Sequence, residues 1–347
     1  MSEGRFDFVS LPQRVERSAM KTRRHERFQP DLVSGRLDLV LENKGLLLVA
    51  AGSDEDGLPK ERYADKTFVM AGGRPVIPGS SLKGVLRSLF EAVTPSCLSM
   101  LNRQYKGRDG FLSRPADYAP LKQSRDLERC SRMDNLCPAC AVFGAMDRRN
   151  AWRGRVNIGD AQLVDEKPRF QTGRAMPKQL QPRPKQRSNS QQYADYYPDN
   201  AMAGRKFYKR PSGAGKTETP LQHGGQRATL SQPLLSGHRF RFDVHFNNLS
   251  EAELGALLRV LLLPEGLVHG VGAAKNHGWG SCRIEAESLL YIEPASRYRG
   301  EGGKQVLQGE AMTQQLQQWM AAAGSLFRDQ AFAQLCEMLT PGKRGVS

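Results

Sequence analysis

Two strand–helix–strand runs, one in each half of the chain, predict an α+β fold with an RRM-like (ferredoxin-like) core that carries large insertions. Three stretches lead to this. Residues 238–246, HRFRFDVHF, alternate polar and apolar at period two, as a strand with one buried face does. Residues 250–263, SEAELGALLRVLLL, follow at once with a serine cap, acids in the first turn and an apolar face at helical spacing. In the first half, residues 80–93 set Leu82, Val85, Leu86, Leu89, Phe90 and Val93 on one face of another helix.

The segments follow in order. Residues 1–34 are polar, basic and weakly periodic, and read as an N-terminal basic arm that orders on a neighbour or on RNA. Residues 35–93 form the first half of the core. There GRLDLVLENKGLLLV (35–49) alternates and then turns apolar, as a strand entering a core does. A charged loop with Asp54, Asp56, Glu61 and Asp65 follows, and the helix 80–93 closes the half, with Ser80 or Ser81 suited to its N-cap. Residues 94–150 are an irregular insertion holding four of the six cysteines, and 151–165 return to strand alternation in GRVNIGDAQLVD. Residues 166–236 are a long basic insertion rich in Pro, Gln, Arg, Lys and Gly. The second half of the core spans 237–294 and contains a glycine-rich loop that feeds a closing strand. The last segment, 295–347, is a helical region, helical chiefly over 310–339.

Charge narrows the partners. With 51 Lys+Arg against 36 Asp+Glu, the 347-residue chain carries +15, which points to a polyanion and first to nucleic acid. Tyr193, Tyr196, Tyr197, Phe207 and Tyr208 interleave with the basic residues of 166–236, as base stacking requires. No apolar run approaches 18 residues and the first residues lack the apolar core of a signal peptide, so we expect a cytoplasmic protein with no membrane partner. GAGKT at 213–217 is not a phosphate loop, because Arg210 stands where the first glycine is required. No Ser/His/Asp triad or H-E-x-x-H motif is present.

Three places carry chemistry. Cys137 and Cys140 form CPAC seven residues after Cys130; three thiolates at this spacing suit one tetrahedral zinc site, with Cys97 preferred to His25 as fourth ligand. The competing reading is a buried or redox-active thiol pair, but the Arg-rich surroundings supply no core of their own, which favours structural zinc. Cys282 and Cys336 fall in a predicted strand and helix and read as core. The loop 270–280 sets Lys275, Asn276, His277 and Trp279 among four glycines; there backbone can approach a phosphodiester, Lys275 neutralise it, and His277 or Trp279 stack on a base. Finally, the turn before helix 80–93 presents free N–H groups that favour a phosphate.

The stretches IPGSSLKGVLRSLFE (77–91), CPACAVFG (137–144) and GVGAAKNHGWGSCRIE (270–285) together resemble the RAMP superfamily of CRISPR-associated proteins, and within it the Cas-seven type backbone subunits of type III and related RNA-targeting effector complexes. FDFVSLPQRV (6–15) and AGRKFYKRP (203–211) add to the resemblance. It implies an RRM-like palm, a zinc-bearing insertion, and a thumb-like hairpin within 166–236, with copies stacked along a CRISPR RNA paired to complementary target RNA. Other effector subunits, including a capping subunit and a separate nuclease, are implied partners. Gly79, Ser80, Ser81, Lys83 and Arg87 would then hold guide phosphates, and Arg205 and Lys206 would contact RNA. In target-cleaving members one Asp between the first strand and this helix supports Mg²⁺-dependent endoribonuclease action; Asp65 holds that position, with Asp54 and Asp56 as rivals. Outside the family, the same features fit a zinc-containing RNA-binding protein of ribosomal type.

Overall fold

The computed structural model describes residues 6–19, 28–51, 66–99, 127–132, 134–146, 151–177, 195–210, 222–223, 226–227, 229–293, 296, 299–300 and 302–342. In chain order its main strands are β1 (Phe6–Val9), β2 (Val33–Asn43), β3 (Arg74–Ile77), β4 (Val156–Ile158), β5 (Ala161–Leu163), β6 (Arg205–Tyr208), β7 (Arg239–Leu249), β8 (Ser281–Ile292) and β9 (Lys304–Leu307). The helices are α1 (Gly79–Val93), α2 (Pro138–Phe143), α3 (Glu251–Leu261), α4 (Gly309–Ala321) and α5 (Asp329–Leu339).

The central sheet runs β8–β2–β7–β5–β3, with β4 also on β7, and all these pairings are antiparallel. Reduced to the two strand–helix–strand units, the order is fourth, first, third, second strand, the ferredoxin-like arrangement that the element order predicts. Register explains the core. Leu37, Leu39 and Leu41 of β2 stand opposite Val244, Phe242 and Phe240 of β7, all buried on one face. Leu82, Leu86, Leu89 and Phe90 of α1 and Leu254, Leu257, Leu258 and Leu261 of α3 are buried in the same core. Trp319 of α4 meets Phe246 edge-on at 6.3 Å.

The other face is polar. Asp38 and Asp243 sit directly opposite each other, a like-charge pair relieved by Arg36 at 3.0 Å and Ser288 at 2.6 Å on Asp38, and by His245 at 2.8 Å on Asp243. An RRM stacks bases on strand aromatics. Here the central strands put Arg36, Asp38, Arg241, Asp243 and His245 there, and no Phe, Tyr or Trp.

Four sequence expectations change in detail. The single strand expected over 154–165 breaks at Gly159–Asp160 into β4 and β5. That break turns the Asp160 carboxylate to accept the Gly79 N–H at 2.7 Å, so the N-cap residue of α1 is Pro78, not Ser80 or Ser81, and the capping oxygen comes from Asp160. The expected basic arm contains β1, which pairs with β6 and buries Val9 completely. The C-terminal helical stretch is two helices divided by a 3₁₀ turn at Gly324–Leu326. By contrast, α3 carries its Ser250 cap as the sequence reads, and Glu253 completes a capping box with it.

One buried ion pair joins the layers. Arg155 meets Glu253 at 2.5 and 3.0 Å and donates to the carbonyls of Asn248 (2.6 Å) and Ala141 (3.1 Å), tying the start of α3 to β4 and α2. Removing one partner strands the other charge in the core. Arg155→Met is therefore expected to cost about 3–5 kcal/mol in denaturant unfolding, more than the paired replacement Arg155→Met with Glu253→Leu.

Candidate functional site

The CPAC turn explains the cysteine centre. Cys137 is the N-cap of α2, Pro138 takes the first helical position, and one turn brings Cys140 back beside Cys137. Cys97, just beyond α1, lies 3.6 Å from both Cys137 and Cys140 through the sulfurs. With Cys130, whose Sγ accepts the Cys137 N–H at 3.3 Å, the four Sγ atoms lie within 4.8 Å of one another, and all four residues are buried. Thiolates on a tetrahedral zinc at ~2.3 Å stand about 3.8 Å apart, so the donor set fits a thiophilic metal ion. Hydrogen bonds among the sulfurs pull the Cys130 thiol below its ordinary range and push Cys140 above it. Cys97 is the fourth member, as the sequence prefers; His25 lies outside the described residues. Cys282 is fully buried in β8 and Cys336 half-buried in α5.

The structure gives Arg87, Arg205 and Lys206 partners within the protein. Arg87 Nε meets Glu91 at 2.7 Å, while its other nitrogens donate to the Gly144 carbonyl at 2.8 Å and approach Cys140 Sγ at 3.5 Å. Arg205 pairs with the second Glu91 oxygen. Lys206 Nζ lies over the Phe6 ring at 4.1 Å and bonds the Tyr196 hydroxyl at 2.6 Å; burial holds its pKa down at about 8.

The glycine-rich loop also differs from its sequence reading. Trp279 is 2% exposed and packs in the core, so it offers no face to a base. Asn276 is buried, and Lys275 Nζ turns inward to the Gly272 carbonyl at 2.8 Å, its pKa lowered by burial and by Arg210. His277 remains half-exposed. Beneath the loop lies the buried Arg210 guanidinium, packed so closely on Gly270 that any Cβ there would overlap it. Gly270 and Gly280 are thus packing residues, the latter at φ +71 with its N–H on the Leu46 carbonyl. His269 beside them is held neutral, its pKa lowered to about 4 by burial.

At α1 the expected anchors separate. Gly79 is buried with its N–H spent on Asp160, and a Cβ would strike the Ile158 carbonyl; Ser80 is exposed and Ser81 half-exposed. Lys83, half-buried, reaches the Val156 carbonyl at 3.1 Å and lines a groove of about 450 Å³ with Arg153, Asn157, His245 and Asn247. Burial lowers the Lys83 pKa, and Arg87 and Arg153 lower it further, so an anion in the groove is electrostatically welcome. Arg153, Asn157 and Asn247 carried no motif. His245, however, is an outward position of the alternating HRFRFDVHF strand, a signal that the sequence does hold. Asp65, Asp54 and Asp56 lie outside the described residues.

The RAMP superfamily model matches residues 64–283, from ahead of β3 through α1, the cysteine centre and the glycine-rich loop. The chain belongs to the RAMP superfamily. No curated protein matches it. Among solved structures, a chain of the Csm3-Csm4 subcomplex in the type III-A CRISPR-Cas interference complex is 17% identical, covers 83% of this chain and 96% of that chain, and has a TM-score of 0.36. No described helix of this RAMP chain is long and apolar enough to cross a membrane.

The cysteine centre of the RAMP chain makes a direct prediction. Refolded with Co²⁺, the protein should bind about one ion per chain with the intense near-ultraviolet thiolate-to-cobalt bands of a sulfur site, and Cys137→Ser should lose both the bands and the stoichiometry.

Proposed function

We propose that this RAMP protein is a guide-binding backbone subunit of an RNA-targeting CRISPR effector complex. It would oligomerise along a CRISPR RNA and present the guide for pairing with target RNA in antiviral defence. The observation that carries the reading is the groove beside α1, where Lys83, Arg153 and His245 converge among Asn157 and Asn247 on a chain of net charge +15. Cationic and amide side chains in one shallow groove suit a sugar–phosphate backbone. Ser80 and Ser81 lie on the same helix and offer hydroxyl donors to neighbouring phosphates.

The centre formed by Cys97, Cys130, Cys137 and Cys140 is read as structural zinc, closed to substrate by four protein ligands. When bound, the ion supplies the folding energy that the insertion 94–150 lacks. The thumb reading is supported by the antiparallel pairing of Arg174–Ala175 with Leu230–Ser231, which closes the base of the insertion 166–236. Partners are further copies of the chain, a capping subunit and, for a display scaffold, a separate nuclease.

Guide binding through the groove should be strongly salt-dependent, because each neutralised phosphate releases counterions. Lys83→Ala with Arg153→Ala should weaken CRISPR RNA binding and lower the log–log salt slope by about two, about one per lost phosphate contact, in titrations at several salt concentrations. An unchanged slope would remove the groove from the interface. Equal affinity for unrelated RNAs would favour the general zinc-containing RNA-binding protein instead.

The assembled complex also tests the enzymatic alternative. Given labelled complementary RNA and Mg²⁺, a display scaffold holds the target uncut. A ladder of evenly spaced products that disappears in Asp65→Ala would make the chain an endoribonuclease as well.

A further inference from the structure

We propose that Arg87, Glu91 and Arg205 are the charge shell of the four-cysteine centre, and that a metal ion held there fixes the β1–β6 strand pair. The side chain of Glu91 is 1% exposed at the C-terminal end of α1. A carboxylate so placed persists only where cations and hydrogen bonds surround it. It has Arg87 at 2.7 Å on one oxygen, and Arg205 with the Ser99 hydroxyl, at 3.3 Å, on the other. Arg87 is shared: its guanidinium also approaches Cys140 Sγ at 3.5 Å and donates to the Gly144 carbonyl that ends α2. Four thiolates around a divalent cation carry about two net negative charges, and a guanidinium resting on one sulfur offsets part of this. Two arginines around one carboxylate leave one positive charge facing the centre. The shell therefore offsets about half of the negative charge of the site, while Glu91 holds both guanidinium groups in place.

The far end of the shell sits on a strand. Arg205 opens β6 and stands opposite Val9 of β1; three residues on, Tyr208 stands opposite Phe6. Lys206, in the cradle of Phe6 and Tyr196, fastens the same pair. An unbroken line of contacts thus runs from Cys140 through Arg87, Glu91 and Arg205 to β6 and β1. Losing the cation frees the sulfur against which Arg87 is held, and through Glu91 the placement of Arg205. The coupling rests on the metal reading of the four-cysteine centre proposed above and is independent of RNA binding.

The test uses the full chain with one equivalent of Zn²⁺, the same chain stripped by a thiol-competitive chelator, and the stripped chain reloaded. Amide hydrogen exchange is followed at residues 6–9, 205–208 and 239–249. Exchange at 6–9 and 205–208 should quicken at least tenfold on stripping and recover on reloading, while β7 holds its rate. Unchanged exchange at the strand pair, or equal acceleration in β7, overturns the coupling. Independently, Arg87→Met should lower affinity for Zn²⁺ by roughly 10–100-fold in chelator competition, with Arg87→Lys recovering part of it. Wild-type metal affinity in Arg87→Met removes Arg87 from the shell. Should Arg87→Met fail to fold, the exchange comparison on the wild-type chain decides alone.

Discussion

The register of β2 against β7 is the constraint from which the other arrangements follow. Both strands are eleven residues long and pair residue for residue from Arg239↔Glu42 to Phe246↔Gly35. A slip of one residue would turn Leu37, Leu39 and Leu41 to water and bury Asp38. With the register as it stands, one face collects leucines and phenylalanines and takes α1 and α3 on top. The opposite face keeps Asp38, Asp243 and His245. The groove beside α1 exists because His245 and Asn247 leave that register on the polar side, next to the edge where β4 brings Asn157.

The described parts of the insertions are fastened to the core by apolar contacts, such as Phe143 edge-on to Phe90 at 5.5 Å, and by buried polar anchors. Arg155 joins α2 and β4 to the start of α3 through one buried ion pair and two carbonyls. Glu91 joins the cysteine centre to β6 through two arginines. Each anchor is costly if half-formed, because a lone buried charge has no water to fall back on. That cost makes each attachment specific: only the correct partner satisfies it. The cysteine centre works alike, since four crowded sulfurs share one small space that a metal ion suits.

The same economy explains why several cationic residues read as RNA contacts face inward. Lys275, Arg87, Arg205 and Lys206 lie in basic or glycine-rich stretches, and local sequence has no way to tell a solvent-facing cation from one that cements two segments. Arg210 is the sharpest instance. Its guanidinium lies under the glycine-rich loop against Gly270, so the glycine there makes room for an arginine and not for a phosphate.

Period-two alternation in 238–246, helical spacing in 80–93 and 250–263, and the CPAC spacing were enough by themselves to indicate the α+β class, β7, α1 and α3, and three members of the sulfur centre. Each rests on neighbours in the chain, where side-chain direction follows directly from backbone repeat. Only the tertiary structure decided what depends on distant segments. It brought Cys97 to the other sulfurs, sent Asp160 rather than a serine to cap α1, and paired β1 with β6 across some two hundred residues. It buried Trp279 and assembled Lys83, Arg153 and His245 into one groove. The reason is physical: burial and charge pairing are properties of the space around a side chain, and that space is built by residues far away in the chain.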